Sequence, residues 1–235
     1  MKSIICFVAM LVTMMTLSLS LLTGNLVLQV YLKALASILF VCAGLFAARE
    51  RRSGSSYVRF ILLGLIFGCV GDISMQISDI KGELYFIIGL VTFALGHVFY
   101  LVAFFKKSSF RWYNLILTLL VIPTAIFGIP ISQAFEFNPS FLFFAVIAYG
   151  VIMTFMVGKS LSFVEFKGHP RFVWMTIIGA ILFGISDIIL LFILFFKPVA
   201  SLAQFDPFLL MLRMVGLVTY YVGQGLIALS LKKEP

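Results

Sequence analysis

The chain has 235 residues, of which 63% are hydrophobic and 11% charged, and its mean hydropathy is +1.18. A single soluble core of that length cannot hide so many apolar side chains, so the solvent of the folded state is lipid. The formal charge of +8 does not mark a nucleic-acid partner, because the basic residues lie in short segments between apolar runs rather than on one polar face.

In hydrocarbon every backbone N–H and C=O needs an internal partner, which leaves helices or a closed barrel. Long unbroken apolar runs exclude the alternating pattern of a barrel. Runs able to cross about 30 Å of hydrocarbon occur at 4–22, 26–48, 57–77, 84–105, 112–129, 139–158, 172–196 and 206–231. The expected fold is an all-α polytopic membrane bundle of eight transmembrane helices, forming a single integral membrane domain over 1–235. The first run follows Lys2 but is long for the apolar stretch of a secretory leader and has no small-x-small cleavage site, so it is read as the first span.

Turn chemistry marks the breaks: Thr23-Gly24-Asn25, Ser53-Gly54-Ser55-Ser56, Pro130, Asn138-Pro139, Gly168-His169-Pro170 and Pro207. Lys2, Arg49, Arg51, Arg52, Lys106, Lys107, Arg111, Lys159, Lys167, Arg171, Lys232 and Lys233 fall on one side of the membrane, against only Lys81 and Lys197 on the other. Positive charge collects on the cytoplasmic side, so both termini are expected there, in a bacterial inner membrane or the endoplasmic reticulum. The terminal Lys232-Lys233-Glu234-Pro235 also fits a dilysine retrieval signal, but topology alone accounts for these lysines. Cys6, Cys42 and Cys69 lie inside apolar runs without CxxC spacing and are read as small hydrophobes.

Four ionisable residues interrupt the spans: Lys33, Asp72, Asp187 and Arg213. A charge at mid-span costs at least about 2.5–3.5 kcal/mol, so each needs a partner, a hydrated cavity or a chemical task. At 1.5 Å per residue, Lys33, Asp72 and Arg213 lie about 8–10 Å below the non-cytoplasmic end of their spans and Asp187 about 14 Å, close enough to line one cavity. Two acids and two bases also make a neutral set, which buried salt bridges alone would explain. Helical spacing favours the cavity: Gln29, Lys33 and Ser37 share one face of the second span, and Arg213, Tyr220 and Gln224 one face of the eighth.

Gly64 and Gly68, continued by Gly71, make a close-packing face on the third span beside the Asp72/Gln76 stripe. The third and seventh spans run in the same direction and carry Gly64…Gly71-Asp72-Ile73 and Gly179…Ser186-Asp187-Ile188, a pattern consistent with a four-plus-four internal duplication. His97 follows Gly96 in the fourth span with Tyr100 one turn on; a lone membrane histidine is ordinarily a satisfied interhelical hydrogen bonder. With two histidines in the chain and His169 in a loop, three strong zinc ligands are not available, so no metal is expected. Serine-lipase elbow, P-loop and dinucleotide fingerprint are all absent, which leaves the paired carboxylates. Carboxylates at mid-depth serve a hydrolase or, as the rival reading, a proton-coupled lipid or small-molecule transporter.

Four segments, GLIFGCVGDISMQ (64–76), FIIGLVTFALGHVFYLVAF (86–104), GAILFGISDIIL (179–190) and TYYVGQGLIALS (219–230), resemble the lysoplasmalogenase family, the YhhN-type and transmembrane-protein-86-type membrane proteins. The resemblance runs from the second span to the C-terminus, with the segments in family order and spacing. It implies an eight-helix, cofactor-free hydrolase that cleaves the vinyl-ether bond of lysoplasmenyl-ethanolamine or lysoplasmenyl-choline to a fatty aldehyde and the glycerophospho-alcohol. It implies catalytic roles for Asp72 and Asp187, and substrate-binding roles for Lys33, His97, Tyr220, Tyr221 and Gln224, with Tyr100 counted beside His97 and Arg213 a looser match. The implied partners are a lysophospholipid substrate and membrane lipid, and no nucleic acid. The residues themselves agree with this chemistry, because vinyl-ether cleavage is acid-catalysed and two carboxyl groups can supply the proton and stabilise the oxocarbenium ion. Which aspartate is the acid is open at this level.

Overall fold

The computed structural model describes residues 1–51, 55–120, 141–166, 170–196 and 207–232. The helices are α1 (Lys2–Ser20), α2 (Leu26–Arg51), α3 (Ser56–Lys81), α4 (Glu83–Lys107), α5 (Phe141–Ser160), α6 (Arg171–Phe196) and α7 (Pro207–Ser230), and no strand occurs among the described residues. Among the described residues seven helices are long and apolar enough to cross a membrane, and the chain is a polytopic helical membrane bundle. The expected breaks at Ser53-Gly54, Pro130, Asn138-Pro139 and Gly168-His169, and the basic residues Arg52, Lys167, Lys197 and Lys233, lie outside the described residues.

The stretch expected as a fifth span, 112–129, differs from expectation in its described part. It begins as two short 3-10 turns, Trp112–Leu115 and Leu117–Leu120, and residues 121–129 lie outside the described residues. A local polar device explains this start: the Asn114 side-chain oxygen accepts from the Arg111 backbone N–H at 2.8 Å, and its amide donates to Gly158 O at 3.0 Å and Ser162 Oγ at 2.8 Å. Hydropathy averages over such a contact and reads the window as one run.

The helices turn apolar side chains outward to the lipid as well as inward to the core, and their inward faces also carry small and polar residues. On α1 the outer face carries Ile4, Val8, Val12, Met15 and Leu19, while Ser3, Thr13 and Ser20 are buried. Inward hydroxyls are satisfied on their own helix, as with Thr13 Oγ1 donating to Ala9 O at 2.9 Å. Tight turns join the first two helix pairs: Gly24 (φ 65°) precedes α2, and Gly82 (φ 92°) alone connects α3 to α4. Ser55 and Asn25 cap the helices that follow them, accepting from Val58 N and Leu28 N.

Close backbone approach holds α3 to α4 and α6 to α7. A Cβ on Gly89 would lie 3.1 Å from Met75 N, and one on Gly179 would lie 2.8 Å from Gly223 O. Any larger residue at these positions forces the helices apart. Each helix packs on the next from α1 to α7 and α7 packs back on α1, α2 and α3, so the seven form a closed ring. At the end carrying the Gly24 and Gly82 turns, α2, α3, α6 and α7 part around a cavity.

Candidate active site

The cavity measures about 210 Å³, and Lys33, Asp72, Asp187, Arg213 and Tyr220 all line it. Apolar side chains from α1, α4, α6 and α7, among them Leu17, Phe93, Leu190 and Leu217, form the rest of its wall. Gln76 and Asp79 stand above Asp72 on the α3 stripe, with Gln76 Nε2 donating to Asp79 Oδ2 at 3.1 Å.

The two aspartates are buried to the same degree but meet unlike partners. Asp72 Oδ2 accepts from Tyr220 OH at 2.8 Å and lies 2.5 Å from Ser37 Oγ. Its Oδ1 faces Lys33 Nζ at 3.8 Å. Ser37 is fixed in turn by Lys33 O at 2.8 Å and Tyr221 OH at 3.2 Å. The polar contacts of Asp72 are therefore one ammonium and two hydroxyls, which suit a carboxylate.

Asp187 Oδ2 accepts from Tyr149 OH at 2.7 Å and lies 3.0 Å from His97 Nε2. The imidazole is fully buried, its Nδ1 lies 2.8 Å from Phe93 O one turn back on α4, and it stacks on the Phe183 ring at 4.5 Å. Tyr149 was not singled out in the sequence. Its one signal was a tyrosine inside an otherwise apolar span, since a buried tyrosine hydroxyl ordinarily finds a partner.

The remaining family-matched residues stand behind the cavity wall. Tyr100 OH donates to Gln224 Oε1 at 2.6 Å, and Tyr221 OH reaches Lys33 O at 3.3 Å. His97, Tyr100, Tyr221 and Gln224 have no exposed surface, and none lines the cavity, whereas Lys33, Arg213 and Tyr220 do. Gln224 Nε2 has no hydrogen-bond partner among the described residues and lies against Gly68. Among the described residues no three His, Cys, Asp or Glu side chains gather as a metal cluster.

Helices that ring a part-polar cavity lined by two aspartates define a polytopic membrane protein with a candidate site inside the bundle. Residues 28–231 match the YhhN family, and the chain belongs to that family. It is 29% identical over 173 residues to the human protein named lysoplasmalogenase TMEM86A, an alignment covering 72% of this chain and 64%, less than two thirds, of the human one. No solved structure matches the chain.

Proposed function

We propose that the protein is a lysoplasmalogenase, hydrolysing the vinyl-ether bond of lysoplasmenyl-ethanolamine or lysoplasmenyl-choline to a fatty aldehyde and the glycerophospho-alcohol. The observation that carries this reading is the pair of buried aspartates on one cavity with opposite surroundings, Asp72 beside Lys33 and Asp187 beside His97. Protonation of the enol-ether carbon needs an acid, and the resulting oxocarbenium ion needs a nearby anion and an oriented water. Two carboxyl groups held in different states supply both.

The apolar wall of Leu17, Phe93, Leu190 and Leu217 suits the aliphatic chain, and the cations Lys33 and Arg213 suit the phosphate. Tyr220 holds Asp72 directly, while Tyr100, Tyr221 and Gln224 support the wall from behind. The basic residues between spans favour cytoplasmic termini, which sets the cavity toward the opposite face.

The test is aldehyde release from lysoplasmenyl-ethanolamine by the purified protein in detergent, compared with Asp72→Asn and Asp187→Asn. Loss of a general acid or base lowers the rate about 10²–10⁴-fold, so wild type releases aldehyde and both variants, with unchanged thermal melts, fall by at least that margin. A wild type that releases no aldehyde overturns the proposal, and lipid uptake driven by a proton gradient in sealed vesicles would put a carrier in its place.

A further inference from the structure

The hydrogen-bond inventory around His97 separates the two aspartates. Nδ1 lies 2.8 Å from Phe93 O, and a carbonyl oxygen only accepts, so Nδ1 carries a hydrogen. In a neutral ring Nε2 is then a bare lone pair. It lies 3.0 Å from Asp187 Oδ2, an oxygen that already accepts from Tyr149 OH. With both groups buried, a bare ring nitrogen 3.0 Å from a carboxylate oxygen is unfavourable unless the pair holds a proton. The pair therefore holds one proton, as imidazolium and carboxylate or as imidazole and carboxylic acid. Both forms are neutral, as burial favours for a group with no further cation in contact. Nε2 closes no hydrogen bond to Asp187 or to any other described residue, so the proton is not fixed in a short bond.

Asp72 differs at each point. Its neighbours are the Lys33 ammonium, Tyr220 OH and Ser37 Oγ, none of them a base that could share a proton with it. Around the cavity the titratable and charged groups are Lys33 from α2, Asp72 and Asp79 from α3, His97 from α4, Tyr149 from α5, Asp187 from α6, and Arg213 and Tyr220 from α7. Only the His97–Asp187 contact sets an acid against a nitrogen base.

We propose that His97 is a positioning residue that keeps one proton on the Asp187 side of the cavity, making Asp187 the general acid and Asp72, held as the anion by Lys33, the group that stabilises the cation and activates water. The assignment rests on the hydrolase reading above. Asp187 gives its proton to the vinyl carbon distal to the ether oxygen, and the π electrons form the new C–H bond, leaving an oxocarbenium ion. Water adds to that cation and loses a proton to Asp72, giving a hemiacetal. Collapse of the hemiacetal breaks the C–O bond: its hydroxyl proton returns to the Asp187–His97 pair, and the proton on Asp72 goes to the departing glycerol oxygen. Substrate and one water become aldehyde and alcohol, and both aspartates are reset.

Two measurements on the full-length protein test this. In His97→Gln the side chain keeps a donor but loses the base, so kcat falls about 10²-fold, and KM stays within about twofold because the imidazole does not reach the cavity. In the second, Asp72→Ala and Asp187→Ala are assayed with formate, a small anion that can replace the lost charge but at neutral pH brings no proton. Formate restores aldehyde release at least about tenfold in Asp72→Ala and not in Asp187→Ala. Any other pattern of rescue overturns the assignment, as does a His97→Gln protein whose KM rises at unchanged kcat. Absence of aldehyde from wild type is a different result, the failure of the hydrolase reading itself.

Discussion

Two lysines are drawn into this bundle, at opposite ends, and the protein compensates them in different ways. Lys33 keeps 16% of its side chain exposed, opens onto the cavity and faces the Asp72 carboxylate at 3.8 Å. Lys159, on the last turn of α5, is wholly buried. Its Nζ donates to Ser109 O at 2.6 Å, Ser108 Oγ at 2.8 Å and Ser108 O at 3.0 Å, and lies 4.7 Å from the centre of the Phe105 ring. Those acceptors follow the C-terminus of α4, where unpaired carbonyls and the helix dipole favour a cation. A charge inside a membrane helix thus lines a candidate site where the helices part around a cavity, and serves packing where they close over it.

Replacing each lysine by methionine, of similar length but without charge, is the sharpest way to break this contrast. Lys33→Met removes the cation opposite Asp72, and aldehyde release should fall about 10²-fold, equivalent to roughly 2.7 kcal/mol of barrier, with little change in melting temperature. Lys159→Met should do the reverse. It removes the donor shared by Ser108 and Ser109, at about 1 kcal/mol for each net hydrogen bond lost, so the protein melts earlier while activity per folded molecule is retained. Equal losses of activity in the two variants would erase the distinction.

Arg213→Gln asks a narrower question at the cavity end. Arg213 lines the cavity seven residues before Tyr220, about 10 Å nearer the start of α7. Loss of its contact should lower kcat/KM for a phosphate-bearing substrate about tenfold and leave the rate on an uncharged 1-alkenyl glycerol unaltered. An unchanged headgroup preference would remove Arg213 from the phosphate site.

Apolar length and the energetic cost of mid-span charge made the seven observed helices legible within a few residues, and depth arithmetic was enough to bring Lys33, Asp72, Asp187 and Arg213 to one cavity. The pairing of Asp187 with His97 and Tyr149 was not legible, because it depends on how α4, α5 and α6 pack, and neither periodicity nor hydropathy reports rotation about a helix axis. Lys159 was read with the basic residues of a loop, since its neighbours Ser160, Ser162 and Glu165 have the composition of one. In the folded chain α5 runs on to Ser160 and continues into a 3-10 turn, Leu161–Glu165, so Lys159 stays on a helix and inside the bundle. The 112–120 stretch was read as the start of a span for the converse reason: its 3-10 turns and the contacts of Asn114 leave its mean hydropathy high.

The smallest effect concerns Ser162, which joins the two devices at the closed end. Its Oγ accepts from Asn114 Nδ2 at 2.8 Å and lies 3.5 Å from Lys159 Nζ. Ser162→Ala deletes this acceptor, yet Asn114 keeps Gly158 O and Lys159 keeps both Ser108 atoms and Ser109 O. The expected loss is therefore about 1 kcal/mol, a single net hydrogen bond, read as a small fall in melting temperature at constant activity. Because the hydroxyl serves both polar side chains, the double variant with Lys159→Met should be less destabilised than the sum of the two single variants. Strict additivity would mean that Lys159 and Asn114 are held independently, and the closed end would then be two separate contacts rather than one polar seal.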